Sequence, residues 1–282
     1  MAKKAKAERG IRNLVVISDL HSGCRLALCP PEGVKLDDGG TYHPSRMQKI
    51  LWKWWTEFWD TWVPQMTHGE PFDVLHNGDA LDGVHHGSTT QISHNLQDQC
   101  AIAEELLRPV VAKARRFFMI RGTEAHGGAS AVEEERLARL LGAKPGEDGQ
   151  CARYELWIHV GDGLVHALHH IGTTGSAQYE SSALMAELAA EYAEAGRHRE
   201  RPPDVVVRSH RHRQCEVRVP TRIGYGIVFV TPAWQLKTPL AYRIAGARVS
   251  TPQIGGSLIR QGDEELHTRH RVWLISRPRI ER

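Results

Sequence analysis

A chain of 282 residues with 41% hydrophobic and 24% charged residues has the length and mixture of a folded protein with a sizeable core, which excludes disordered and fibrous classes. No apolar run approaches the ~18 residues of a membrane span. The 36 basic residues against 33 acidic ones, a formal net charge of +3, are too evenly balanced to announce nucleic-acid binding alone, although a local basic groove stays open.

In chain order, residues 1–10 are basic and alanine-rich, lack the apolar run of a signal peptide, and are expected to form a flexible tail. The β-branched run at residues 14–17 reads as a buried strand that stops at Ser18-Asp19-Leu20-His21-Ser22-Gly23. An insertion follows over about 24–70. Its first part, Cys24 to Tyr42, is rich in Pro and Gly and suits a rim loop. Its second, Ile50 to Val63, places Leu51, Trp54, Trp55, Phe58 and Trp62 on one helical face and Trp52 and Trp59 on the neighbouring stripe. That pattern predicts a helix covering a sheet, with a partner interface or a stacking platform for single-stranded bases as alternatives. Strands are predicted at Phe72 to Leu75 and Phe117 to Ile120, with a helix from Leu96 to Arg116 between them, kinked at Pro109. Further helices are predicted at Val132 to Leu141 and Gln178 to Ala195. The remaining predicted strands are Tyr154 to Val160, Val165 to Leu168 after an Asp162-Gly163 turn, Val205 to Val207, Glu216 to Val219, Gly226 to Val230 and an edge strand over Leu266 to Ile275. Alternating strands and helices followed by antiparallel strands, with no repeat or long linker, predict one α/β domain over residues 11–282.

The chain carries 17 histidines, and their positions matter because imidazole is the commonest transition-metal ligand. Asp19 and His21 are two apart, so in an extended segment both face one side while Leu20 points into the core. His210 and His212 repeat that spacing after a strand of valines. Asp79, after Asn77-Gly78, adds a carboxylate whose two oxygens can bridge cations. The five cysteines, Cys24, Cys29, Cys100, Cys151 and Cys215, contain no CxxC pair, which argues against a thiolate zinc site or disulfide framework and for a reducing, cytoplasmic setting.

Taken together, Ser18-Asp19-Leu20-His21, Gly78-Asp79-Ala80-Leu81-Asp82, Gly122-Thr123-Glu124-Ala125-His126, Leu168-His169-His170 and Ser209-His210-Arg211-His212 follow one another in the order D-x-H, G-D-x-x-D, G-N-H-(D/E), isolated His, G-H-x-H. This series resembles the calcineurin-like metallophosphoesterases, in a divergent form like that of bacteriophage-encoded members. The resemblance covers roughly residues 14 to 232. It implies a four-layer αββα sandwich, two mixed β-sheets flanked by helices. It also implies that Asp19, His21 and His212 hold one divalent ion, that Asp79 bridges, and that His169, with His170 as its fallback, and His210 hold a second. The third motif departs from the pattern: Thr123 stands where the family has an asparagine ligand and Glu124 where it has a histidine. His126, two residues on, restores an imidazole as ligand or acid, and the acid role is preferred. In the fifth motif Ser209 replaces the usual glycine.

The activity so implied is metal-dependent phosphodiester hydrolysis, nucleic acid being one substrate class. The alternatives are a phosphomonoesterase or a metal-binding interaction module without activity. A mixed Asp/His set with no thiolate suits Mn, Fe, Ni or Zn, Mn being favoured. His126 and Asp82 are the expected catalytic residues, and Arg121 and Arg211 the expected phosphate contacts. His85, His86 and His94 are expected at the rim, and His76 and Trp234 in the core. The arginine-rich stretch at 199–201, with Arg269, Arg271, Arg277, Arg279 and Arg282 near the end, reads as a solvated face or a phosphate-tracking groove.

Overall fold

The computed structural model describes residues 10–128, 131–172, 177–222, 224–244 and 251–276. Tail residues 1–9 and Arg277, Arg279 and Arg282 lie outside these. The elements are β1 (Asn13–Ile17), β2 (Val34–Lys35), β3 (Thr41–Tyr42), α1 (Arg46–Glu57), α2 (Val63–Thr67), β4 (Asp73–Asn77), α3 (Leu96–Lys113), β5 (Phe117–Ile120), α4 (Glu124–Gly127), α5 (Val132–Leu140), β6 (Ala152–Arg153), β7 (Glu155–Val160), β8 (Gly163–Leu168), α6 (Glu180–His198), β9 (Val205–Arg208), β10 (Cys215–Thr221), β11 (Gly224–Val230), α7 (Pro239–Arg243), β12 (Gln253–Gln261) and β13 (Leu266–Leu274).

Two sheets account for eleven of the strands. The first has the order β13-β12-β1-β4-β5-β6, and the second β10-β11-β9-β8-β7. Strands β1, β4, β5 and β6 run parallel, with β12 and β13 antiparallel at one edge. In the second sheet β8, β9 and β11 are parallel, with β7 and β10 antiparallel outside them. Leu14, Val16, Leu75, Phe118 and Ile120 of the first sheet pack against Val165, Val205, Val207, Ile227 and Phe229 of the second in one buried cluster. The opposite face of the first sheet is covered by residues of α1, α3 and α5, and that of the second by Leu184 and Leu188 of α6. These are the four layers αββα that the resemblance implies. Parallel strands buried on both faces read as unbroken apolar runs, which is why β1, β4, β5 and β9 were legible.

The tryptophan-rich insertion forms the outer layer. Ser45 caps α1, its side chain accepting from the Gln48 N–H while Gln48 reaches back in a capping box. A π-helical turn at Phe58–Trp62 joins α1 to α2. Its wider turn rotates the buried stripe away from a strict 3.6-residue period: Trp59 is buried, although the spacing predicts it beside the buried face, and Trp62 is only half-buried. Trp55 and Phe58 pack edge-on against Trp234, itself fully buried. The helix therefore spends its central indoles on the core.

One central strand escaped the sequence reading. β12 contains Gly255-Gly256, an interruption that lowers its strand signal, yet it pairs with both β1 and β13. A Cβ at Gly256 would lie 2.6 Å from Phe58 Cζ, so the bare backbone is what lets the insertion dock. Pro109 lies inside α3, which continues through it to Lys113.

Candidate metal centre

The motif residues all lie just beyond the C-terminal ends of parallel strands: Asp19 and His21 after β1, Asp79 after β4, Thr123 after β5, His169 after β8, and His210 and His212 after β9. This is where open α/β sheets place their sites. The extended geometry expected for Asp19-Leu20-His21 is not what forms. Asp19, His21, Asp79, His210 and His212 all have positive φ, between 44° and 72°, a left-handed conformation that is uncommon outside glycine and persists where the surroundings enforce it. The enforcing contacts are backbone hydrogen bonds from Asp19 N to Gly78 O (3.0 Å), His21 N to Asp79 O (3.0 Å), Trp234 N to Asp19 O (3.0 Å) and Gln253 N to His212 O (2.9 Å). Gly78, at φ +88°, lies against the His169 ring, and any Cβ there would collide with it.

Side chains from both sheets meet at Asp79. Its Oδ2 lies 3.1 Å from His169 Nε2, 3.8 Å from His210 Nδ1, 3.9 Å from His21 Nε2 and 4.0 Å from His126 Nε2. Its Oδ1 accepts the Thr123 N–H at 2.6 Å, and Thr123 Oγ1 is 3.4 Å from Oδ2. Alongside, His212 Nε2 is 3.3 Å from Asp19 Oδ1 and 3.1 Å from His21 Nε2. Asp19 Oδ1 and His169 Nε2 are buried, and their only near neighbours among the described residues are the oppositely charged groups of the cluster itself, His212 and Asp79. Buried polar atoms are ordinarily satisfied; here imidazole nitrogens and carboxylate oxygens are satisfied only by one another, and a cation could take the place of the shared protons. The ligand atoms of Asp19, His21 and His212 lie within 4.8 Å of one another, as do those of Asp19, Asp79 and His169 and those of His169, His170 and His210. The donor set fits divalent ions bound by nitrogen and oxygen.

Electrostatics follow from burial. Desolvation pushes the Asp79 carboxyl up, but the neighbouring His169, His210 and His126 outweigh it and hold the group well below the ordinary range. Asp19 is lowered in the same way, burial being overcome by His212. Reciprocally, His169 is raised to about 10 by Asp79 against the effect of burial. A cation bound by these groups would take the place of a proton held between acid and base.

The remaining expected residues separate. Asp82 is buried, its Oδ1 3.5 Å from His21 Nδ1 and its two oxygens accepting from Gln235 Nε2 at 3.0 Å and Gln91 Nε2 at 2.8 Å. It faces the His21 ring from the side away from the centre. His126 directs Nδ1 at the Asp82 carbonyl oxygen, 2.6 Å away, which leaves the Nε2 lone pair facing Asp79. Burial and the nearby His21 lower its pKa to about 4. Arg121 is not brought to the centre: it turns under β6, donating to Ala152 O at 2.8 Å and Tyr154 Oη at 3.2 Å and contacting Gln150. Arg211 sits at the rim, donating to Gly172 O. His85 comes within 4.0 Å of Asp82 and stacks edge-on with His126, whereas His86 and His94 are exposed. His76 is fully buried, and burial lowers its pKa to about 4.

Three residues have supporting roles that the sequence reading did not assign. Asn77 donates to Leu168 O at 2.9 Å and to Ser209 Oγ at 2.6 Å, tying the two sheets together beneath the ligands. Ser209, in the glycine position of its motif, also accepts from Thr231 at 2.8 Å, so its hydroxyl completes this bridge. Glu134 of α5 is fully buried and accepts from Gly122 N at 2.9 Å and Ala80 N at 3.3 Å, joining the loops after β4 and β5. Its sequence signal was only an acid in a helix's first turn.

No family model matches the chain and no curated protein matches it. Among solved structures it is similar to Vps29 from Entamoeba histolytica complexed with Zn, at 12% identity and a TM-score of 0.41 over 92% of this chain and 98% of that one. It is also similar to a conserved uncharacterized protein from Streptococcus pneumoniae described as a predicted phosphoesterase, at 9% identity and a TM-score of 0.35 over 93% and 98% of the two chains. A third is the sulfate thiohydrolase SoxB of Thermus thermophilus, at 11% identity and a TM-score of 0.42 over 96% of this chain and 58% of that one.

Proposed function

We propose that this protein is a metal-dependent phosphoesterase that hydrolyses phosphodiesters, nucleic acid among them, with two divalent ions. The observation that carries the reading is the convergence of Asp19, His21, His212, His169 and His210 around Asp79, with nitrogen and carboxylate oxygen atoms brought together in partly buried sets. Asp19, His21 and His212 would hold one ion and His169 and His210 the other, Asp79 Oδ2 being the atom both sets approach. When bound, such a pair supplies charge neutralisation of the phosphate and a water acidic enough to deprotonate near neutral pH.

The protein's own groups do the rest. Left-handed backbone and the hydrogen bonds between loops fix the ligands before any substrate arrives, so little reorganisation opposes binding. Asp82, through His21 Nδ1, holds Nε2 toward the centre, the usual service of a carboxylate behind a ligating imidazole. His126, fixed at Nδ1 and neutral at pH 7, presents Nε2 as an acceptor beside Asp79 and orients a water or hydroxyl there. Nearby cations would lower its pKa further, which makes the donor role a poor match. Arg211 stands at the mouth, where a phosphate oxygen can reach it. Five free thiols support a reducing setting such as the cytoplasm, and among the described residues no helix is long and apolar enough to cross a membrane.

The test is hydrolysis of bis(p-nitrophenyl) phosphate, p-nitrophenyl phosphate and labelled single-stranded DNA with Mn or Zn and an EDTA control. Diester or DNA turnover that EDTA abolishes and Asp79→Asn removes supports the reading. Turnover of the monoester alone replaces the substrate, and no turnover with any metal leaves a binding module.

A further inference from the structure

We infer that His170 is a ligand of the second ion, an imidazole standing in for the amide that the third motif lacks. The inference rests on the two-cation reading and adds to it a residue and a metal preference. The third motif's ligand position is occupied by Thr123, whose hydroxyl is a weak neutral donor. Around that hydroxyl the structure gathers two imidazole nitrogens, His170 Nε2 and His210 Nδ1, each 3.3 Å from Thr123 Oγ1. With His169 these histidines offer three nitrogens within 4.8 Å of one another. The His169 and His170 rings meet at 89° with centroids 4.9 Å apart, so they converge by their edges and do not stack.

His170 is exposed, yet its backbone is fixed on both sides. Ser209 N donates to His169 O at 2.8 Å, Gly172 N donates to Glu187 Oε1 at 3.0 Å, and Arg211 donates to Gly172 O. Arg211 and Glu187 thereby hold the His169–Gly172 segment against the mouth of the centre, which gives a purpose to a surface histidine with no carboxylate partner among the described residues. The resulting set is three imidazoles and the Asp79 carboxylate. An ion so bound has one nitrogen more than the amide-containing pattern provides, and nitrogen-rich sets favour Zn, Co and Ni over Mn.

The test is equilibrium dialysis of the full chain against graded free Co(II), reading cobalt per chain and the visible absorption of the bound ion, with circular dichroism as a check of fold. Wild type is expected to take two equivalents. His170→Ala, a truncation at an exposed position, should keep the first equivalent at wild-type affinity and weaken the second by at least about tenfold, the scale of losing a group that supports a metal. Thr123→Asn in the His170→Ala background should restore the second equivalent by returning the amide. Two equivalents of unchanged affinity in His170→Ala would overturn the assignment and leave the two-cation reading standing. A double variant as weak as His170→Ala would overturn the exchange of imidazole for amide, and a wild type that takes at most one equivalent would overturn both readings.

Discussion

At the scale of single residues, the centre is built from side chains that normally avoid the conformation they adopt. Among the described residues, five of the nine non-glycine residues with positive φ are expected ligands, held by hydrogen bonds to segments distant in the chain. Asp79 is the common partner, so Asp79→Asn should lower metal-dependent hydrolysis by at least about a hundredfold, the scale of losing one transition-state charge partner, while near-UV circular dichroism stays that of the wild type. Glu134 carries a second prediction. Burial, reinforced by Asp79, raises its pKa from 4.5 to about 7. A group with a raised folded-state pKa contributes stability below pH 4.5 that is lost as pH rises toward 7, at most about 3 kcal/mol at about 1.4 kcal/mol per pH unit. In EDTA, the melting temperature of Glu134→Gln relative to wild type should therefore climb between pH 4.5 and 7. A difference that stays flat across that range would refute the assignment.

At the scale of elements, the insertion between β1 and β4 shows how a helix rich in indoles becomes core. Leu51, Trp55, Phe58, Trp59 and Val63 are buried against the first sheet, and Trp54 stacks on Trp273 of β13, centroids 5.9 Å apart. The helical period was readable, but the π turn that brings Trp59 inward was not, because it is selected by the fit against β12 and not by any local signal. The glycine at the contact is the sensitive point. Gly256→Val should destabilise the fold by about 1–3 kcal/mol, as overpacking does, and denaturant unfolding would reveal it as a lower midpoint. Trp55→Ala should cost about 3–5 kcal/mol through the cavity it leaves.

For the whole molecule, the site exists only because two sheets face each other: Asp19, His21, Asp79 and Thr123 come from the first, His169, His210 and His212 from the second. An ion bound as proposed would tie the two together and so link ligand to fold. At a free metal concentration a hundred times its dissociation constant, each site adds about 2.7 kcal/mol of stability. Melting should rise with Zn or Mn and fall back with EDTA, and in Asp79→Asn that rise should shrink or vanish.

From the residues alone came an α/β domain whose buried parallel strands read as apolar runs with polar motifs at their ends; the four layers and the expected ligand set came from the resemblance those motifs carry. That resemblance also determined that the third motif is short of an amide. Only the tertiary structure decided which imidazoles approach that gap, that Arg121 turns away while Arg211 pins a loop, that β12 completes the first sheet through its glycines, and that Asn77, Ser209 and Glu134 brace the centre. Those outcomes depend on contacts between segments distant in the chain, where packing and hydrogen-bond satisfaction override every local preference.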